Sequence, residues 1–170
     1  KLDIPQGVSV EFWLKKDAWI TGSTNKEVVF DLWNGEASSS TGYGRFTVFL
    51  SGTDVAAGDP WYFNAYSGTV GVSDTSFESA SPIITQTTAT VADGNWHHYA
   101  FTFKNDSGTT TIKSYKDGAL ADIVPLSQTF LEVTGALQAR IGALITSPSG
   151  STAAAGAGKL SASIEEQKRR

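Results

Sequence analysis

Hydrophobic and polar residues alternate strictly over 8–15. Val8, Val10, Phe12 and Leu14 fall on one side, and Ser9, Glu11, Trp13 and Lys15 on the other. A period of two with one wholly apolar side predicts a half-buried strand. The same reading predicts strands over 27–33, 43–50, 61–66, 96–103, 109–115, 137–145 and 160–166. In the second of these, Phe46, Val48 and Leu50 share a side. Loops rich in turn-forming residues fall at 16–26, 34–42 and 51–60. Residues 67–81 show little period, 82–91 is Thr-rich and expected to be extended, and 119–134 is less regular, with a short turn over 126–130. Residues 146–158 form a low-complexity loop of Ser, Ala, Gly and Pro. No segment keeps a helical period beyond about one turn, and no fixed-period repeat is present. Short strands at intervals of about ten residues predict an all-β fold of two packed antiparallel sheets.

The most informative stretch is Asp93-Gly94-Asn95-Trp96-His97-His98-Tyr99-Ala100-Phe101-Thr102-Phe103. A turn feeds an alternating aromatic strand, a second strand follows, and Lys116-Asp117-Gly118 then marks a hairpin. This stretch resembles the "G-x-W-H-H-V-A-x-T-F" strand and "Y-x-D-G" hairpin of laminin-G-like, concanavalin-A-like jelly-roll domains. Residues 8–15 resemble that family's early "F-T-I-E-x-W-V-K" strand, 137–142 its "L-x-I-G" strand, and 158–166 its closing "G-x-L-x-G-x-I-D-E". The resemblances run in order along nearly the whole chain. They imply one jelly-roll β-sandwich domain over 1–170, with Trp13 and Trp96 at core positions and Trp33 joining them. The family continues "I-D-E-V-R-I", whereas this chain continues Glu166-Gln167-Lys168-Arg169-Arg170. Gln167 and Arg169 are poor candidates for unpaired burial, so the last strand is expected to fray after Ile164.

Composition bounds the rest. A chain of 170 residues suits one domain with a sizeable core. A net charge of −4 and strands free of any basic stripe argue against a nucleic-acid partner. No apolar run nears the roughly 18 residues of a membrane-spanning helix, so no membrane insertion is expected. The chain has no Cys, which removes thiol catalysis and Cys metal sites but not export. It has no Met and no signal peptide, and reads as a processed piece of a longer polypeptide, with neighbouring domains as partners.

Several groups invite chemistry. His97 and His98 are adjacent in a strand and face opposite ways, so they do not share an ion; one is expected in a polar pocket and the other at solvent. Glu11, Glu165 and Glu166 raise glycoside hydrolysis, which needs two carboxylates about 5–10 Å apart across one bond. Jelly-roll hydrolases resembling this chain carry "E-x-D-x-x-E", which is absent here. With both His in one strand, no Ser-His-acid arrangement is indicated either. The reading is therefore of no enzyme and no required cofactor. Calcium is the one candidate ion, because relatives hold it at the sandwich rim and it takes about six to eight oxygens. Asp54, Asp59 and Asp74 are its candidate ligands, with Asp106 in a further oxygen-rich hairpin.

Sugar recognition would use aromatic platforms flanked by polar groups. The candidates are Trp19, Trp33, Trp61, Tyr62 and Tyr66, with Asn34, Arg45 and Asn64 as polar partners. Trp19 stands out, because it sits in a loop expected to be wet; capping the sandwich edge is its alternative role. The expected function is a non-catalytic binding module of an extracellular, cell-surface or virion-surface protein, recognising a glycan or protein ligand for attachment. Its alternative is a spacer or decoration domain of a capsid, tail fibre or large adhesin.

Overall fold

The computed structural model describes residues 3–18, 26–51 and 59–145. They form two antiparallel sheets. The back sheet runs β1-β6-β7-β8, from β1 (Val8–Lys15), β6 (Trp96–Asp106), β7 (Thr109–Lys116) and β8 (Ala119–Leu126). The front sheet runs β5-β4-β3-β2-β9, from β2 (Lys26–Trp33), β3 (Gly44–Ser51), β4 (Trp61–Ser67), β5 (Val70–Ser76) and β9 (Gln138–Ile141). This is the expected β-sandwich. The expected strand over 160–166, its fraying point and the loop over 146–158 lie outside the described residues.

The alternation in β1 sets its inner side. Val8, Val10, Phe12 and Leu14 pack against a core of Phe46, Val48, Leu50, Trp61, Phe63, Phe77, Phe101 and Phe103. Aromatic rings dominate this core. Trp61 lies 4.8 Å from Tyr99, 5.4 Å from Phe101 and 5.7 Å from Phe12, centroid to centroid. Tilted and edge-on ring pairs at such spacings add to simple burial. The hairpin after β7 turns at Asp117 and Gly118, both with positive φ, which matches the right-handed strand twist.

Three expectations are corrected. Trp13 and Trp96 are 65% and 59% exposed on the outer face of the back sheet, not in the core. Phe12 points inward, so its neighbour must point outward, and Trp96 follows the same parity through its pairing with Lys15. Residues 70–76 form β5, an edge strand among the described residues, and an extra residue between Val72 and Thr75, opposite the β4 step from Phe63 to Ala65, breaks its period. Within 82–91, Thr88–Val91 is a helical turn, closed by a reciprocal capping box between Thr87 and Thr90. Two further expectations shift in extent: β8 is a full strand, and β9 is only four residues long.

The His pair divides as expected from parity. His97 sits at the rim between Asp117 Oδ2, 2.7 Å from Nδ1, and Asp93 Oδ2, 3.0 Å from Nε2. Hydrogen bonds donated by the ring to Asp93 and then to Asp117 raise its pKa above the ordinary imidazole value. His98 turns to the other side and lies 5.3 Å from the Trp13 ring.

Candidate functional site

The outer face of the front sheet brings together most of the residues singled out for recognition. In β4, Tyr62, Asn64 and Tyr66 alternate with the inward Trp61, Phe63 and Ala65. The β3–β4 register sets Arg45 opposite Tyr66 and Phe49 opposite Tyr62. The β2–β3 register sets Trp33 opposite Arg45 and Asp31 opposite Thr47. Trp33, Arg45, Tyr62, Asn64 and Tyr66 therefore share one half-exposed face.

At its centre Asp31 is completely buried and grips Arg45 in a fork. Asp31 Oδ1 accepts from Arg45 Nε at 3.0 Å and from the Thr47 hydroxyl at 2.7 Å. Oδ2 accepts from Arg45 Nη2 at 2.7 Å and from the Ile145 backbone N–H at 2.8 Å. Two parallel N–H donors on one carboxylate fix the guanidinium plane as well as its position. Burial alone would lower the Arg45 pKa, but the Asp31 hydrogen bonds and charge outweigh it and raise it.

Aromatic rings flank this clamp. Tyr62 stacks on Phe49 at 5.9 Å and 21°, and the Lys26 ammonium covers the same Phe49 ring at 5.0 Å. Phe49 thus points outward yet stays 1% exposed. Tyr66 lies 5.6 Å from the Tyr43 ring and hydrogen-bonds Ser73. Its ring also lies across Gly71, where a Cβ would fall 2.1 Å from ring carbon Cδ1. Trp33 donates its indole N–H to the Glu36 carbonyl at 2.8 Å, which fixes the ring at the edge of the face. Asn64 Oδ1 accepts from the Asp74 backbone N–H at 2.7 Å.

Two recognition candidates do not belong to this face. Trp61 is 0% exposed within the aromatic core, so it offers no surface to a ligand. It has the opposite strand parity to Tyr62. Asn34 is buried and braces the loop after β2: its amide donates to the Gly42 and Thr134 carbonyls, and its oxygen accepts from Gly44 N–H. Trp19 lies outside the described residues.

The calcium set is not assembled by the members that are described. Asp74 pairs with Lys26, and its carboxylate is spent there. Asp59 is 6% exposed and accepts from Trp61 N–H at 2.9 Å and Gln86 Nε2 at 3.3 Å. Asp54 lies outside the described residues. Among the described residues no three acidic or imidazole side chains converge as a metal would need.

Burial pushes the Asp59 pKa up to about 8, with Glu78 and Asp122 adding repulsion against a lowering by Trp61 N–H. Its unfolded value is near 3.8. The folded state therefore holds the proton more tightly, and this stabilising contribution, complete below about pH 4, is lost as pH rises towards about 8. Asp59→Asn is expected to flatten that loss, gaining on the wild type at pH 9 relative to pH 5. Urea unfolding at the two pH values checks it, and an unchanged difference between the proteins would refute the assignment.

Among the hydrolysis candidates, Glu11 is on the outer face of the back sheet, opposite Ala100. Glu165 and Glu166 lie outside the described residues. The strands of the front face carry Asp31 and Asp74, each already paired with a cation.

The comparison with curated proteins returned no match. A laminin-G family model, described as the concanavalin A-like lectin/glucanases superfamily, matches residues 1–157. The two-sheet sandwich, the strand order of its motifs and this match agree, and the chain belongs to the laminin-G-like branch of the concanavalin A-like superfamily.

Proposed function

We propose that the chain is a non-catalytic binding module that recognises glycan on the outer face of the front sheet. The observation that carries this reading is the gathering of Trp33, Tyr62 and Tyr66 around the fixed Arg45 fork on one half-exposed surface. Such rings take the apolar faces of pyranoses, and the Asn64 amide supplies a directional contact to hydroxyls. The superfamily joins lectins and glucanases, so membership accommodates both binding and cleavage. The cation-paired Asp31 and Asp74 favour binding, because a glycosidase needs one carboxyl free to give a proton. The reading places the module on an extracellular, cell-surface or virion-surface protein, where repetition would supply avidity to individually weak sites.

The spacer reading has one observation in its favour: Arg45, Asn64 and Lys26 already have partners within the face. A glycan array decides between them. The wild type is expected to bind a defined subset, and Tyr62→Ala with Tyr66→Ala to weaken that binding about tenfold or more, roughly 1.4 kcal/mol at least. Equal binding by the double variant would refute the face, and a wild type that binds nothing supports the spacer.

A further inference from the structure

The rim of the sandwich where β6 begins carries a charge cluster remote from the front face. His97 is the second residue of β6, and both of its ring nitrogens meet carboxylates. Nδ1 lies 2.7 Å from Asp117 Oδ2, and Nε2 lies 3.0 Å from Asp93 Oδ2. An ionised carboxylate oxygen only accepts, so both ring nitrogens must donate. Neutral imidazole has a single N–H, and the imidazolium alone fills both bonds. In that form the side chain ties the turn before β6 to the β7–β8 hairpin.

The two ends of this tie are unequally anchored. Asp117 makes two further bonds to β6: its Oδ1 accepts from His98 N–H at 2.9 Å, and its own N–H donates to the His98 carbonyl at 2.8 Å. The hairpin therefore keeps its place without His97. Asp93 Oδ1 accepts from Asn95 N–H, a bond inside the turn that anchors it to nothing else. Gly94 N–H holds the turn to the Lys16 carbonyl, just past β1, at 3.0 Å.

The other charged groups around the ring are engaged elsewhere. Lys116 of β7 gives its ammonium to the Thr90 carbonyl at 2.7 Å, and its charge opposes that of the imidazolium. Asp17 lies beside Gly94 but pairs with Lys15 at 3.6 Å. The Tyr99 ring is 6.2 Å away, and burial raises its hydroxyl above the ordinary phenol range, so it stays neutral. Both carboxylates stay charged. The His97 bond first, then Asn95 N–H, holds Asp93 below the usual range; Asp117, despite desolvation, is held low by His98 N–H and His97. Near neutral pH, His97 is the group in this cluster that changes charge.

We propose that His97 is a pH-controlled latch, pinning the 93–95 turn to the Asp117 hairpin as imidazolium and releasing the turn as neutral imidazole. On deprotonation the remaining proton stays on Nδ1, against the better-anchored Asp117. The Nε2 lone pair then faces the Asp93 carboxylate, and the two repel. The bonds to Asp93 and then Asp117 hold the folded His97 pKa above the ordinary imidazole value. The closed state is therefore complete below the ordinary value and is lost as pH rises through the raised one. The turn runs directly into Trp96, so its release also loosens the entry to β6.

Ring-nitrogen NMR of the purified chain tests the charge state; the chain has two His, and His97→Gln assigns their signals. His97 is expected to show imidazolium nitrogens at neutral pH and to titrate above the ordinary imidazole value. Amide hydrogen exchange, corrected for the intrinsic effect of pH, tests the release. Protection of Gly94 N–H should fall about threefold or more across the His97 titration, while that of Asp117 N–H holds. Asp93→Asn should bring the His97 titration down toward the ordinary value and leave Gly94 protection independent of pH. The Asp93 side chain is 32% exposed at the rim, so this variant is expected to keep a cooperative melt, which certifies its folding. Asp59 titrates in the same range, so the exchange is repeated in Asp59→Asn, where the His97 response should persist. A His97 that titrates at or below the ordinary value would overturn the proposal. So would Gly94 protection unchanged across the titration, protection lost at Asp117 instead, an Asp93→Asn variant that titrates like the wild type, or a response that vanishes with Asp59→Asn.

Discussion

Asp31→Ala is expected to destabilise the domain by about 3 to 5 kcal/mol, a fall in melting temperature on the order of 10 °C. The Asp31 side chain has no solvent exposure and the Arg45 side chain only 16%, so removing the carboxylate strands a mostly buried cation. The Thr47 hydroxyl and the Ile145 N–H lose their acceptor in the same step. Leaving buried donors unmade costs more than the net worth of the bonds themselves. The control is the double variant Asp31→Leu with Arg45→Met, which removes both charges and keeps apolar volume. It should recover much of the loss, because a buried ion pair replaced as a unit is often neutral. Urea melts of the two single variants and the double variant form the cycle that measures the coupling. A single variant within about 1 kcal/mol of the wild type would show that the clamp does not hold this face together.

The second large effect falls on Trp61. Trp61→Ala should cost about 3 to 5 kcal/mol, because it opens a cavity between Phe12, Tyr99 and Phe101 that these rings cannot collapse to fill. Trp61→Phe should cost less: it keeps a ring in place, and the indole Nε1 it removes makes no hydrogen bond among the described residues. Where both variants remain folded, glycan affinity at the front face should match the wild type, since Trp61 points to the other side of β4. Thermal melts beside binding isotherms make the separation. A variant of undiminished stability that binds less sugar would reverse the assignment of Trp61 to the core.

Much of the architecture was legible because strand parity is a local property. The apolar side of β1 is visible in residues 8–15 without any partner strand. The same parity puts Trp13 outside, against the core position that the family resemblance implies, and parity is the stronger constraint. Trp61 and Tyr62 are a similar case, since neighbours in one strand cannot both serve one face. β5 was not legible, because a strand that pairs only with β4 among the described residues, and is interrupted by a bulge, keeps no clean period. The helical turn at Thr88–Val91 was hidden by its brevity and by a capping box built from two Thr rather than Thr and Glu. The front face was half legible. Its residue types announced themselves, but their convergence depends on the β2–β3 and β3–β4 registers, which are long-range facts. Asp31 was missed because one Asp inside an apolar strand carries no local mark of the Arg45 it pairs with fourteen residues later.

The Tyr66 ring owes its lie to what Gly71 lacks. In the proposed site, the tilt at which this ring would meet a sugar is therefore encoded at a position with no side chain to make contact. Contact and inheritance part company here. A lineage altering its preferred sugar could do so at residue 71, leaving every residue that touches the ligand unchanged. A comparison of homologues restricted to contact residues would then find identical sites with different tastes.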